Sequence, residues 1–108
     1  MKFFMGVGRY RLDLKGCRSL KDKRRIVKSI IDRIGNGKAV AVREIGDHDY
    51  WKSSMLAVVC LSDSEQAAKQ ALARSLQVME NAGIDVMENG CFVFSSDDVA
   101  ESILCQGE

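Results

Sequence analysis

Apolar and polar residues alternate along residues 8–14, and Tyr10 and Leu12 fall on the apolar side. A period of two is typical of a strand that buries one of its faces. Along residues 20–34 the apolar residues instead recur at helical spacing, directly after Ser19, a residue type that caps helix N-termini. The pattern therefore predicts a strand followed by a helix of about four turns.

Two further strands and a second helix are predicted next. Residues 38–45 are rich in Ala and Val, and residues 55–61 are continuously apolar, as in a central strand. Residues 62–66 contain two overlapping capping boxes, which begin at Ser62 and Asp63. The stripe of Ala, Leu and Met that follows at helical spacing predicts a second amphipathic helix.

The C-terminal part of the chain predicts one more strand and a short helix. Residues 84–88 and 91–94 form a last strand, or a bulged pair of strands, on either side of Asn89 and Gly90. Residues 97–104 have the pattern of a short terminal helix.

The order strand, helix, strand, strand, helix, strand is that of a split β-α-β arrangement. We therefore predict an α+β, ferredoxin-like βαββαβ fold, an antiparallel sheet with two helices on one face, plus the short C-terminal helix. The ferredoxin-like domain is expected to cover residues 1–94, and residues 95–108 are expected to form a C-terminal extension.

The predicted topology leaves one face of the sheet open. Its two central strands would place Arg9, Arg11 and Asp13 beside one apolar set from residues 55–61. Contiguous apolar area on a small monomer usually marks an interface. Either the C-terminal segment or a second copy should cover this face, and we expect a homodimer through it.

Composition places the chain among single globular domains. It has 108 residues, of which 46% are hydrophobic and 29% charged. No apolar run approaches the roughly 20 residues that span a bilayer, and residues 1–8 lack the pattern of a secretory signal. The four cysteines are widely spaced, which predicts reduced thiols rather than a zinc site or redox pair. We therefore expect a cytoplasmic protein that holds no metal.

The charges divide unevenly between the two halves of the chain. Residues 1–54 carry 14 of the 16 Lys and Arg but only 6 of the 15 Asp and Glu. Residues 15–33 contain eight of these cations, against only Asp22 and Asp32. A functional hypothesis has to account for this basic segment.

The basic segment coincides with the start of the first predicted helix. Cations are disfavoured there by roughly 0.3–1 kcal/mol each, because the helix dipole is positive at its N-terminus. A phosphate bound at the free N–H groups would make these charges favourable. The predicted RNA- or anion-binding residues are Arg18, Lys21, Lys23, Arg24, Arg25 and Lys28.

The basic segment is also compatible with roles that involve no nucleic acid. The cations can simply solvate a surface helix, or bind an acidic protein. A membrane surface is disfavoured, because the helix lacks a Trp or Phe anchor on its apolar side. If RNA binds, contacts to phosphates are expected, since residues 55–61 offer no aromatic side chain for base stacking.

The connection between the second and third strands holds the remaining candidates, Asp47, His48, Asp49 and Trp51. A His between two Asp residues has the composition of a general base or metal site. Acids in loops more often cap turns, and a loop Trp more often packs as an anchor. We therefore treat these four residues as a possible functional loop and assign no catalytic residue. No cofactor is predicted, because neither glycine-rich segment has the spacing of a nucleotide-binding loop.

Three segments together resemble a known family: residues 8–14 (GRYRLDL), residues 16–25 (GCRSLKDKRR) and residues 46–51 (GDHDYW). Over about residues 5–94 the chain resembles the YlxP-like family of small bacterial proteins, a domain of unknown function. The resemblance implies a ferredoxin-like fold, self-association, and genes that often lie beside those for translation initiation and ribosome maturation. It implies no established activity and no catalytic residues.

These observations lead to two hypotheses. In the first, the chain is a non-enzymatic accessory protein that binds structured RNA, on a ribosomal subunit or its precursor, through the basic start of the first helix. In the second, it is a homodimeric protein-interaction module whose basic helix docks an acidic protein partner. No small-molecule substrate is identified.

Overall fold

The computed structural model describes residues 1–35 and 39–98. Its elements are β1 (Phe4–Asp13), α1 (Leu20–Gly35), β2 (Val40–Gly46), β3 (Ser53–Ser62), α2 (Glu65–Asn81) and β4 (Asp85–Ser95). The strands form one antiparallel sheet in the order β2-β3-β1-β4. Both helices pack on the same face, so the predicted ferredoxin-like βαββαβ fold is confirmed.

β1 begins at Phe4, earlier than the predicted residue 8, because two glycines serve as strand residues. A Cβ atom on Gly8 would lie 2.5 Å from the Tyr10 hydroxyl oxygen, and one on Gly6 would lie 2.7 Å from Cys60 Sγ. The two glycines therefore mark close packing inside the strand rather than its start.

The core lies between the helices and one face of the sheet. Tyr10 and Leu12 of β1 are fully buried there, as predicted, and Leu56 and Val58 of β3 join them. α1 adds its apolar stripe, of which Ile30 is 1% exposed. The first helix is thereby fixed with its opposite side toward solvent.

Both helices begin at a serine cap, but only the first at the predicted residue. Ser19 Oγ accepts the Asp22 N–H at 3.1 Å, which confirms the cap of α1. α2 is capped by Ser64, whose side chain accepts the Ala67 N–H, and not by Ser62 or Asp63. Ser62 is still paired in the sheet as the last residue of β3, so the predicted start was placed too early.

β4 is one continuous strand with a bulge, so the alternative of two strands around Asn89-Gly90 is wrong. Arg11 pairs with Glu88 but Leu12 pairs with Val86, which leaves Met87 as the extra residue. Gly90 pairs regularly with Arg9 of β1.

Only the first residues of the predicted C-terminal helix fall within the described part of the chain. Residues 96–98 are helical, and the rest of the predicted helix over residues 97–104 lies outside the described residues. Within the described ranges, no helix combines the length and apolarity that crossing a bilayer requires.

Candidate nucleic-acid interface

α1 presents a row of exposed cations on the side that faces away from the sheet. Lys21, Arg24 and Lys28 are spaced i, i+3 and i+7, which aligns them over about 10 Å of helix. Arg18, just before the helix, and Arg25 are also exposed. We call this surface, formed by Arg18, Lys21, Arg24, Arg25 and Lys28, the α1 cationic face.

Four of these five cations have no acidic partner in the described part of the chain. The ion pairs found there include neither Arg18, Lys21, Arg24 nor Lys28. Only Arg25 is paired, through Nη2 to Asp22 Oδ1 at 2.9 Å. Most of the charge predicted from the sequence therefore remains open to an anion.

The tip of α1 carries a negative charge of its own. The Asp22 carboxylate accepts hydrogen bonds from the Arg25 guanidinium and, at 3.4 Å, from the Arg18 backbone N–H. These two bonds lower the pKa of Asp22. Ser19 Oγ accepts the Asp22 N–H and the Asp22 carboxylate accepts the Arg18 N–H, so the structure contradicts the expectation that these N–H groups at the helix tip are free for a phosphate.

Lys23 does not belong to the exposed surface, and its assignment to the RNA-binding set is corrected. Its side chain is 1% exposed, and Nζ lies 3.0 Å from Glu44 Oε2. Nζ also donates to the Tyr50 carbonyl oxygen at 2.6 Å and to the Asp47 carbonyl oxygen. All three donors of the ammonium group are used inside the protein.

A signal for the burial of Lys23 was present in the sequence. At 100° per residue, Lys23 falls in the middle of the apolar sector of α1, three residues after Leu20 and four before Val27. A lysine in such a sector must either extend its head to water or find partners inside. The partner, Glu44, has no local sequence relation to Lys23 and could not be named in advance.

The possible functional loop is held in place by these contacts. Asp47 adopts φ 62°, and its carboxylate accepts the Ser53 hydroxyl at 2.7 Å. Trp51 is half-buried against the core. The contacts of Asp47 and Trp51 thus account for them as structural residues, as a loop acid and a loop Trp usually are.

The remaining loop residues are exposed. His48 Nε2 lies 3.1 Å from the Glu44 carbonyl oxygen, and Asp49 faces solvent. In residues 1–35 and 39–98, no three His, Cys, Asp or Glu side chains lie together in a way that could hold a metal ion. The geometry around His48 therefore adds nothing to the hypothesis of a general base.

The cysteines in the described ranges are free thiols. Cys17 and Cys60 are buried, whereas Cys91 is exposed. Burial, followed by the nearby Asp22 charge, raises the pKa of the Cys17 thiol. A raised pKa keeps the thiol protonated, so the cationic helix start does not activate Cys17 as a nucleophile.

Comparison with known sequences places most of the chain in one protein family. Residues 5–88 match the family described as "Protein of unknown function (DUF503)". An uncharacterized protein YlxP of Bacillus subtilis (strain 168) is 32% identical over 63 residues, which are 58% of this chain and 68% of that protein.

Two solved structures with a similar fold are distant from this chain in sequence. A structural-genomics protein, YJCS, superposes with a TM-score of 0.53 at 12% identity, over 82% of this chain and 96% of that one. A dimeric ferredoxin-like protein of unknown function from Thermobifida fusca has a TM-score of 0.44 at 16% identity, over 83% and 90% of the two chains. At such identities the likeness concerns the fold alone.

Proposed function

The chain belongs to the DUF503 family, a YlxP-like family of unknown function, and we propose that it is a non-enzymatic accessory protein that binds structured RNA through its α1 cationic face. The free thiols of Cys17, Cys60 and Cys91 favour action in a reducing compartment, the cytoplasm. The structured RNA that we propose is that of a ribosomal subunit or its precursor.

The proposal depends on one observation, the uncompensated charge of four exposed cations. Like charges at these spacings destabilise a helix by a few tenths of a kcal/mol per pair. Lys21, Arg24 and Lys28 are nevertheless aligned without a carboxylate partner among the described residues. A row of phosphates would turn this repulsion into attraction.

Contacts to phosphates rather than to bases fit the residues on this side of α1. Its outward positions carry Lys and Arg and no aromatic side chain on which a base could stack. Binding through the backbone positions a protein on RNA without reading sequence. The protein is therefore expected to prefer RNA shape over RNA sequence.

The test is fluorescence anisotropy with a labelled RNA hairpin at about physiological salt. The double variant Arg24→Glu/Lys28→Glu should weaken binding at least about tenfold, as expected for the loss of two phosphate contacts. The matched control is Lys69→Glu/Arg74→Glu, which makes the same charge change at exposed positions of α2. Equal loss in both variants, or none in either, would refute a specific role of α1.

An acidic protein partner is the competing outcome, and the same experiment can reveal it. Polyglutamate is added as a competitor of the hairpin. If polyglutamate displaces the RNA at an equal concentration of charges, the face recognises negative charge on a flexible chain, and the proposal of structured RNA fails.

A further inference from the structure

The face of the sheet opposite the helices carries an aromatic pair on β4. Phe92 is 64% exposed, and its ring centroid lies 5.1 Å from that of Phe94. Strand register sets Phe92 directly beside Val7 of β1. Val7 and the buried Tyr10 lie on opposite faces of β1, because side chains alternate along a strand. The aromatic side chains that β3 lacks are therefore present on the edge strand of the open face.

Two arginines lie beside the aromatic pair on this face. The register pairs both Arg9 of β1 and Arg43 of β2 with Ala57, which lies between them on β3. The arginines are thus two strand spacings apart, or about 10 Å. Arg9 also pairs with Gly90 of β4, two residues before Phe92, so the Cα atoms of Arg9 and Phe92 are diagonal neighbours about 7–8 Å apart. A row of two cations therefore borders the aromatic pair.

The charge of this row is not compensated within residues 1–35 and 39–98. Both arginines are exposed, and neither forms an ion pair there. Arg11, two residues further along β1, differs because its Nε lies 3.9 Å from Glu88 Oε2 on the neighbouring strand. At Arg9 the neighbouring strands place Ala57 and Gly90 instead of an acid. This row is therefore open to an anion.

Small residues leave space next to Phe92 and the arginines. A Cβ atom placed on Gly90 would have no heavy atom within 4 Å. Ala57, between the two arginines, adds only a methyl group to the surface. A planar group that stacks on Phe92 thus meets no side chain at position 90.

We infer that this face binds an unpaired stretch of RNA, with a base stacked on Phe92 and phosphates held by Arg9 and Arg43. A base supplies the planar ring that an exposed aromatic side chain stacks on, and the backbone supplies the anions that the arginines lack. The surface is separate from the α1 cationic face, because both helices pack on the other face of the sheet. The choice of RNA as the nucleic acid rests on the proposed function.

Unpaired RNA fits both parts of this face better than a second copy of the chain does. A second copy could bury Phe92, but it would also cover Arg9 and Arg43, and burying charges without partners is costly. The register rows that contain Phe94, Phe92 and Arg9 hold no carboxylate on any of the four strands. Two copies that met through these rows would therefore bring no acid to the arginines.

Fluorescence anisotropy of the full chain with a labelled oligouridine of about eight nucleotides tests the stacked base. Phe92→Leu should weaken binding at least about fivefold, because leucine keeps apolar area but lacks the ring face on which a base stacks. Phe92→Trp should retain the affinity within about twofold. Tyr50→Leu is the matched control, since Tyr50 is 54% exposed in the connection between β2 and β3, and it should have no effect. Circular dichroism checks that each variant is folded.

The salt dependence of oligouridine binding tests the two arginines. Each phosphate contact contributes about 0.7 to the slope of the logarithm of affinity against the logarithm of salt concentration for single strands. Arg9→Gln/Arg43→Gln should therefore reduce the magnitude of the slope by about 1.4. Arg33→Gln/Arg74→Gln makes the same charge change at exposed positions of the two helices and should leave the slope unchanged.

Three results would overturn the inference: no binding of oligouridine by the wild type, equal binding by Phe92→Leu, or equal displacement of oligouridine by inorganic polyphosphate at the same concentration of charges. The last result would show that the face recognises charge without bases. If Phe92→Leu weakens self-association in sedimentation equilibrium and leaves oligouridine binding unchanged, a second copy covers the face and the inference is wrong.

The hairpin measurement decides the proposed function separately. If Arg24→Glu/Lys28→Glu binds the hairpin like the wild type while Phe92→Leu loses oligouridine, the proposal for the α1 cationic face fails and binding by the sheet stands. If only the α1 variant loses its RNA, the proposed function stands and binding by the sheet is refuted.

Discussion

Lys23 Nζ lies 3.0 Å from Glu44 Oε2, and this contact joins the start of α1 to the end of β2. Glu44 also accepts the Ser54 hydroxyl at 2.6 Å, so the pair is embedded in a polar network beneath the helix. The same ammonium group holds the Asp47 and Tyr50 carbonyl oxygens of the following loop. One basic residue of the cationic segment thus has a structural role, while its neighbours remain on the surface.

Replacing Lys23 with Met should destabilise the protein by about 3 kcal/mol, because it leaves the Glu44 carboxylate without its cation and two carbonyl groups without their donor. Urea unfolding measures the change. Lys21→Met, an exposed position on the same helix, is the control and should change stability by no more than about 0.5 kcal/mol. Equal effects of the two substitutions would contradict the buried role of Lys23.

A second consequence concerns RNA binding. Folded Lys23→Met protein should retain the affinity of the wild type for an RNA hairpin within about twofold, because the lost charge never reaches the surface. A loss as large as that expected for Arg24→Glu/Lys28→Glu would show that Lys23 contacts RNA after all.

Tyr10 makes stability depend on alkaline pH. Burial, followed by a hydrogen bond with the Cys91 thiol, raises the pKa of Tyr10 well above its ordinary value of 10.0. The unfolded chain therefore releases the Tyr10 proton before the native protein does. Stability is fully present below pH 10 and falls above it, by up to about 1.4 kcal/mol per pH unit from this residue.

Tyr10→Phe isolates this effect. At neutral pH the variant should lose about 1 kcal/mol, because the hydroxyl donates to the Leu72 carbonyl oxygen at 3.3 Å. Above pH 10 the gap between wild type and variant should close and then reverse. Parallel curves of urea midpoint against pH for the two proteins would exclude Tyr10 as the source.

Gly8 is a packing residue, and its replacement by Ala should cost more than about 2 kcal/mol. The added Cβ would lie 2.5 Å from the Tyr10 hydroxyl oxygen and 2.8 Å from its ring, so a fully buried side chain must move. Gly90 of β4, which pairs with Arg9, has open space where its Cβ atom would lie and is the control. Thermal melts compare the two. Similar losses at both sites would mean that strand conformation, rather than contact with Tyr10, sets the cost.

The fold could be predicted because its signals are local. Alternation along β1 and helical spacing along α1 specify both element types and the faces they bury. The ends of the strands and helices were predicted wrongly where a residue type can play more than one structural role. Gly8 was predicted as the first residue of the strand but lies inside β1, where Gly6 and Gly8 make room for neighbouring side chains. Ser62 was predicted to cap a helix but ends β3.

Only the exposed residues of the candidate site could be predicted from the sequence. The spacing of Lys21, Arg24 and Lys28 is a property of the helix itself. The partners of Lys23 lie on β2 and the following loop, and only the assembled sheet brings them under the helix. A count of lysines assumes that every lysine is exposed, so the count included Lys23 among the cations available to a ligand although it is buried.

Salt dependence gives the most direct measure of how many phosphates the α1 cationic face neutralises. With four unpaired cations in contact, the logarithm of the RNA association constant should fall with the logarithm of salt concentration at a slope of about −3 to −4. Each of Arg24→Ala and Lys28→Ala should reduce the magnitude of this slope by about 1, whereas Arg74→Ala on α2 should leave it unchanged.

Arg25→Ala should reduce the slope less than either of these substitutions, because Arg25 must leave Asp22 before it can reach a phosphate. A slope near zero in the wild type would show that any RNA binding does not use phosphate contacts, and a slope equally reduced by Arg74→Ala would show that only net charge matters.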